Sequence, residues 1–308
     1  MGRYVARRIL QAIPVLIGVT LIIYVLVFAL HGDPIQALAG EKRADPNIAA
    51  ILRDQYHLND PWYVQYWYYI KGVFTGDLGT TYTGRPISEI VSQRFPVTAQ
   101  LAITAFVIEA VIGILAGVLS ALRKGKFLDQ LVLVSTLLLI SIPVFVLGNV
   151  LQLELGVNLG IVPVAGTDDG WPTSFILPGL VLASTSMAYI TRLTRASMME
   201  SIRADYVRTA VAKGLPYRRV IGLHALRNSL IPVVTFLGMD LGALMGGAII
   251  TERIFNLPGI GQQLAQSVYL RERPVVVGIV TLLVLIYLVA NLVVDVLYAV
   301  LDPRIRYE

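Results

Sequence analysis

Of the chain's 308 residues, 56% are hydrophobic and only 15% are charged, with a mean hydropathy of +0.70, whereas a soluble domain carries about 25% charged residues. A larger soluble core cannot absorb that difference, because cores stop growing at about 250–300 residues and their surface stays polar, but apolar helices of about 20 residues crossing a bilayer account for it. The formal net charge of +5 is distributed as in membrane proteins rather than nucleic-acid binders, and the absence of cysteine excludes disulfides, thiolate nucleophiles and Cys-held metals.

Arg3, Arg7 and Arg8 lead into the first apolar run, Ile9 to Leu30. The flanks resemble a signal peptide, yet the run exceeds the about 7–15 residues of an h-region. Its only A-x-A-like site, Ala37-Leu38-Ala39, lies well past the end, so the run is expected to stay as a first span. Residues 31–97 form an extracytoplasmic segment with a cluster of Trp62, Tyr63, Tyr66, Trp67, Tyr68 and Tyr69. This cluster is either an interfacial aromatic belt or part of a small external domain that meets a partner. Five further apolar segments, at 98–122, 129–152, 174–192, 230–251 and 275–300, make up a core over residues 98–308. Pro178, Ser184, Thr185 and Ser186 dilute the fourth, which membrane helices tolerate. The expected fold is an all-α integral membrane protein of about six transmembrane helices.

An even number of spans puts both termini on one side. The N-terminal arginines then share that side with Arg123, Lys124, Lys126, the basic connector 193–229, Arg304 and Arg306. By the positive-inside rule this side is the cytoplasm.

The connector 193–229 is helix-permissive from Arg203 to Lys213, with Gly214 and Pro216 as a stop and a second short helix from Tyr217 to Arg227. Val207, Ala210, Val211 and Gly214 recur at helical spacing as a narrow face of small residues, flanked by Arg208 and Lys213. The residues alone allow either a face for a partner backbone or a solvated basic loop over anionic lipid.

In the fifth segment Gly238, Gly242 and Gly246 repeat a small-xxx-small pattern, as do Gly113 and Gly117 in the second; both suit close helix packing. Glu109, Asp240 and Asp295 are intramembrane acids, which in hydrocarbon face a partner or a wet cavity. Glu109, Asn149, Met239, Asp240 and Met245 are candidate pathway residues; a carboxylate at 240 suits either a substrate amino group or a buried structural pair. His31, His57 and His224 show no metal-ligand spacing, and no nucleophile–base constellation is visible, so neither a metal site nor a catalytic residue is expected. No phosphate-binding G-x-x-x-x-G-K-[ST] loop is present.

The connector resembles the loop motif of ABC importer membrane subunits. Aligned on Gly214 it reads Arg208-Thr209-Ala210, three residues, Gly214, nine residues, then His224-Ala225-Leu226-Arg227, which is similar to the peptide/nickel permease branch although the motif's acidic first residue and final proline are missing. Gly32-Asp33-Pro34, Leu58-Asn59-Asp60-Pro61, Gly76-Asp77-Leu78-Gly79 and Arg94-Phe95-Pro96-Val97-Thr98 resemble the same branch in order along the chain. So does the stretch Glu252-Arg253-Ile254-Phe255-Asn256-Leu257-Pro258-Gly259-Ile260-Gly261, followed by Arg271-Glu272-Arg273-Pro274. The chain most resembles the B-type subunit of dipeptide or oligopeptide importers.

The resemblance implies a non-catalytic permease subunit in a bacterial or archaeal inner membrane, forming half of a pathway with a second, homologous permease subunit. ATP and Mg belong to a cytoplasmic ATPase, an extracytoplasmic binding protein delivers the peptide, and nucleic acid plays no part. Asp205, Arg208, Thr209, Ala210, Lys213, Gly214 and Leu215 would then meet the ATPase as a coupling helix. Nickel chelate, glutathione and haem are alternative cargoes within the superfamily. An ion-coupled secondary transporter using Glu109, Asp240 or Asp295, a non-transporting scaffold and an intramembrane hydrolase are the rivals from other classes.

Overall fold

Backbone in hydrocarbon must satisfy its hydrogen bonds within the segment, and the described residues are correspondingly helical, with a single isolated bridge between Thr80 and Pro86. The chain is seen in a computed structural model that describes residues 2–29, 46–55 and 59–301. His31, Gly32-Asp33-Pro34, Ala37-Leu38-Ala39, His57, Leu58, Arg304 and Arg306 lie outside the described residues, as does the side chain of Asp295.

Among the described residues, four helices are long and apolar enough to cross a membrane: α1 (Gly2–Ala29), α4 (Ile87–Leu122), α7 (Thr173–Arg203) and α12 (Arg273–Leu301). Two bent pairs raise the number to six. The first pair is α5 (Phe127–Ser141) with α6 (Val144–Asn158); the second is α9 (Tyr217–Ser229) with α10 (Ile231–Ile254). Shorter helices complete the chain: α2 (Pro46–Gln55), α3 (Trp62–Thr75), α8 (Asp205–Ala212) and α11 (Ile260–Tyr269).

Three expected boundaries move. The second span begins at Ile87, well before residue 98, because Pro96 does not stop α4. Its first turns are held outside the apolar part by Arg85, which donates to Glu89 at 3.0 Å and to Gln93 at 2.7 Å. The third span is not one helix. It turns by 106° between Ser141 and Val144, where Pro143 forces Ile142 out of the helical region to ψ 122. The fourth runs on to Arg203, so residues 193–203 are helix rather than loop.

The most extensive interface joins α4 to α7, and small residues make it close. A Cβ on Gly117 would stand 2.6 Å from the Thr191 carbonyl oxygen, and one on Gly113 would stand 2.8 Å from Ile190 Cγ2. From the α7 side, a Cβ on Gly179 would meet Thr104 Cγ2 at 2.9 Å. Backbones this near gain dispersion contacts where no hydrophobic drive exists between helices.

α3 divides the aromatic cluster. Tyr66 donates to the Ile17 carbonyl at 3.1 Å, and Tyr69 donates to Thr281 Oγ1 at 2.6 Å, fastening α3 to α1 and α12. Burial pushes the Tyr69 phenol well above its usual range, so it stays a donor. Trp62, Tyr63, Trp67 and Tyr68 point outward and are exposed.

Candidate functional site

The loop helix α8 starts where Ala204 turns extended (φ −68°, ψ 150°) after α7, and Asp205 places a negative charge at its N-terminal end. Its C-terminus is a Schellman motif. The Gly214 amide donates to the Val211 carbonyl at 2.9 Å and the Leu215 amide to the Ala210 carbonyl at 3.3 Å. Gly214 itself lies at φ +73°, where a side chain is strained, while a Cβ there would meet nothing within 4 Å. The demand for glycine at 214 is therefore conformational within this chain, and the space beside it is open.

The small-residue face is split by the structure. Val207 and Ala210 are buried in a cluster with Ala121 of α4, Met198 of α7 and Val220 and Ala225 of α9. They seat the helix on its own chain and are not free to meet a partner, which corrects the expectation for Ala210. Val211 is 59% exposed and Gly214 is open. Asp205, Arg208, Thr209 and Lys213 are also exposed, with Leu215 half-buried, and Arg208 lies 3.6 Å from Asp205. Exposed Tyr206 and Tyr217 extend this surface, and sequence reasoning passed over both.

Beneath the seat lies an ionic anchor that sequence reasoning also missed. Arg195 of α7 grips Asp129 of α5 through both oxygens, at 2.7 and 2.9 Å. Ser120 of α4 donates to the same carboxylate, as does the Gly125 amide at 2.8 Å. Asp129 is 3% exposed. Such a buried pair is tolerable because every lone pair of the carboxylate has a donor. It ties three helix ends together directly next to the cluster on which α8 sits.

The candidate pathway residues have different surroundings. Glu109 is fully buried, and Asp240 is the charged group it meets. Among the described residues, no group other than these two carboxyls satisfies the Glu109 oxygens or Asp240 Oδ2. Met245 packs beside Ala102, Ala105, Ala183 and Leu244. Met239 is exposed, and Asn149 turns back to donate to the Phe145 carbonyl at 2.7 Å. Among the glycines of α10, a Cβ on Gly242 would stand 3.0 Å from Tyr287 Cδ2, Gly238 is half-buried, and Gly246 has nothing within 4 Å. Among the described residues, Gly246 thus packs against no helix.

The stretch from Glu252 to Gly261 has a physical explanation. Glu252, fully buried, folds back so that Oε2 accepts from the Gln262 amide at 2.8 Å and Oε1 from Thr98 Oγ1 at 2.6 Å. Thr98 Oγ1 in turn accepts from the Ile260 amide at 2.8 Å. Together they cap the N-terminus of α11, which suits a carboxylate. Gly259 leaves room for that carboxylate, and Gly261 lets α11 lie against Ile249, where a Cβ would stand 2.6 Å from Cα.

The chain matches the family described as "Binding-protein-dependent transport system inner membrane component" over residues 113–307, and the corresponding N-terminal family over residues 1–102. It is 40% identical, over the whole of both chains, to "Glutathione transport system permease protein GsiC" of Salmonella typhimurium, and 39% identical to the protein of that name from Escherichia coli K12. Among solved structures it is similar to "Crystal structure of an amino acid ABC transporter with histidines". That likeness has a TM-score of 0.50 at 18% identity, over 70% of this chain and 94% of the other, and is one of fold.

Proposed function

As the chain belongs to the inner-membrane components of binding-protein-dependent transport systems, we propose that it is one of two permease subunits lining the pathway of an ATP-driven importer of short peptides. Glutathione, itself a tripeptide, is the first cargo to test, because relatives that match over their whole length include glutathione permeases. The companion subunit supplies the other half of the pathway, an extracytoplasmic binding protein delivers the peptide, and a cytoplasmic ATPase docks at the outer face of α8. Both termini and α8 lie on the cytoplasmic side.

The observation that carries this reading is the two-faced α8: Val207 and Ala210 lock it to α4 and α7, while Val211 and the open space at Gly214 face outward. A force applied to the outer face passes through a close-packed seat into the longest helix interface of the fold. Closure of the ATPases on ATP thus becomes a rigid-body movement of spans, each nucleotide state favouring one access state.

The test is uptake by the reconstituted complex of two permeases, ATPase and binding protein. Glutathione or a dipeptide accumulates with ATP and not with ATP plus vanadate. Gly214→Val lowers uptake at least tenfold, whereas Gly214→Asn, which tolerates the left-handed region, retains most of it. Uptake that survives vanadate and collapses with a protonophore rejects the reading.

A further inference from the structure

The first and last spans separate at one end. Between Arg8 and Leu16 of α1, and Leu285 and Leu292 of α12, they leave a groove of about 360 Å³, within the about 300–1,000 Å³ typical of sites that bury a ligand. Towards their other ends the two helices close, with Val27 in one core cluster with Val275, Val276 and Val277.

The polar groups of the groove are ordered. Arg8 stands exposed at the mouth with Arg7 exposed beside it. Gln11 lies nearly one helical turn deeper, about 4.5 Å along the axis, and Asn291 joins it from α12. Neither amide side chain has a hydrogen-bond partner among the described residues. Beyond them the lining is aliphatic, including Ile13, Leu16 and Leu288. Gln11 is exposed and Asn291 half-buried, so both amides are open to an occupant with acceptors at that depth at the edge of hydrocarbon.

We propose that this groove binds an anionic phospholipid of the leaflet at the N-terminal end of α1. Its phosphate sits at Arg8, its glycerol ester carbonyls accept from Gln11 and Asn291, and one acyl chain lies along Ile13, Leu16 and Leu288. Cation, amide donors and hydrocarbon wall follow the order of phosphate, ester and acyl chain in a phospholipid. Arg7 and Arg8 together favour a net negative headgroup over a zwitterionic one.

The experiment takes the assembled transporter from bilayer discs of equal phosphatidylglycerol and phosphatidylethanolamine into detergent and weighs the retained lipid by native mass spectrometry. Phosphatidylglycerol is retained in preference. Arg8→Gln reduces that preference about fivefold, and Leu288→Trp, which fills the groove and leaves Arg8 in place, expels both lipids. A photoreactive side chain at exposed Val289 labels phosphatidylglycerol in preference to phosphatidylethanolamine in discs of equal composition, which decides the matter even where the Trp variant fails to assemble. Equal retention of the two lipids by the unaltered complex, or labelling of the companion permease from Val289, overturns the proposal. Co-purification of the ATPase is scored separately, so loss of lipid from an assembled complex bears on the groove alone.

Discussion

Arg195 and Asp129, 66 positions apart in the chain, meet as a two-pronged ion pair at 2.7 and 2.9 Å, at the end of the bundle where α8 docks. The pair fixes α5 to α7, and through Ser120 it fixes both to α4. Removing one member strands the other. Arg195→Met is expected to cost about 3–5 kcal/mol, seen as a lower unfolding midpoint of the purified complex. The double variant Arg195→Met/Asp129→Leu recovers much of the loss, and equal losses in single and double variants would show that the pair is not coupled.

Glycines that look alike in sequence separate by their surroundings. Gly117→Val drives a side chain into the Thr191 carbonyl and the Thr194 side chain, so α4 and α7 must part, at a cost of at least about 1–3 kcal/mol. Gly246→Ala enters open space and is expected to stay within about 0.5 kcal/mol. Thermal unfolding of the two variants side by side checks the contrast. A large uptake defect in a stably folded Gly246→Leu then marks the companion subunit's contact.

Glu109 and Asp240 are neighbouring carboxyl groups in an apolar interior, and among the described residues Glu109 meets no cation that would balance it. Replacing a poorly satisfied buried carboxyl group by an apolar side chain of similar volume removes a desolvation cost of about 1–3 kcal/mol. Glu109→Met is therefore expected to raise the unfolding midpoint. If uptake falls while stability rises, the pair serves transport; a fall in both would mean that Glu109 has a structural partner in the assembly.

The cap on α11 is a coupled unit. Glu252→Ala strips the acceptor from the Gln262 amide and Thr98, costing about 1–3 kcal/mol. Gly259→Ala collides with the Glu252 carboxylate and displaces the same acceptor, at a similar cost. In Glu252→Ala/Gly259→Ala the clash is gone, so the double variant loses less than the sum of the singles. Additive losses would disprove the contact.

Much of the architecture is legible in the sequence because hydrocarbon imposes length and apolarity on every span. The loop helix is legible too, since Gly214 and Pro216 stop it where the Schellman turn stands. What escapes are features made by distant pairs. Arg195 reads as a loop residue until Asp129 balances it inside a helix. Pro143 is visible as a proline, but membrane helices tolerate prolines, and the sequence does not distinguish this one, which stands at a 106° bend, from Pro96, which leaves α4 unbroken. Spacing groups Val207, Ala210 and Val211 on one helix, with Gly214 standing just past its end, and cannot say which of them face inward. Resemblance singles out Glu252 to Gly261, but the reason for the pattern, a carboxylate reaching ten residues ahead to an amide, is three-dimensional.

Since the chain has no cysteine, an introduced one is unique within it, and this allows the outward face of α8 to be tested directly. In the complete transporter, with the ATPase carrying a single cysteine near its permease-facing groove, Val211→Cys is expected to form a disulfide with the ATPase at a yield that changes with nucleotide. Val207→Cys, 4% exposed at the native valine, forms none. Cross-linking from position 207 as efficient as from 211, or from neither while the complex still transports, would contradict the role of α8 as the seat of the energy-supplying subunit.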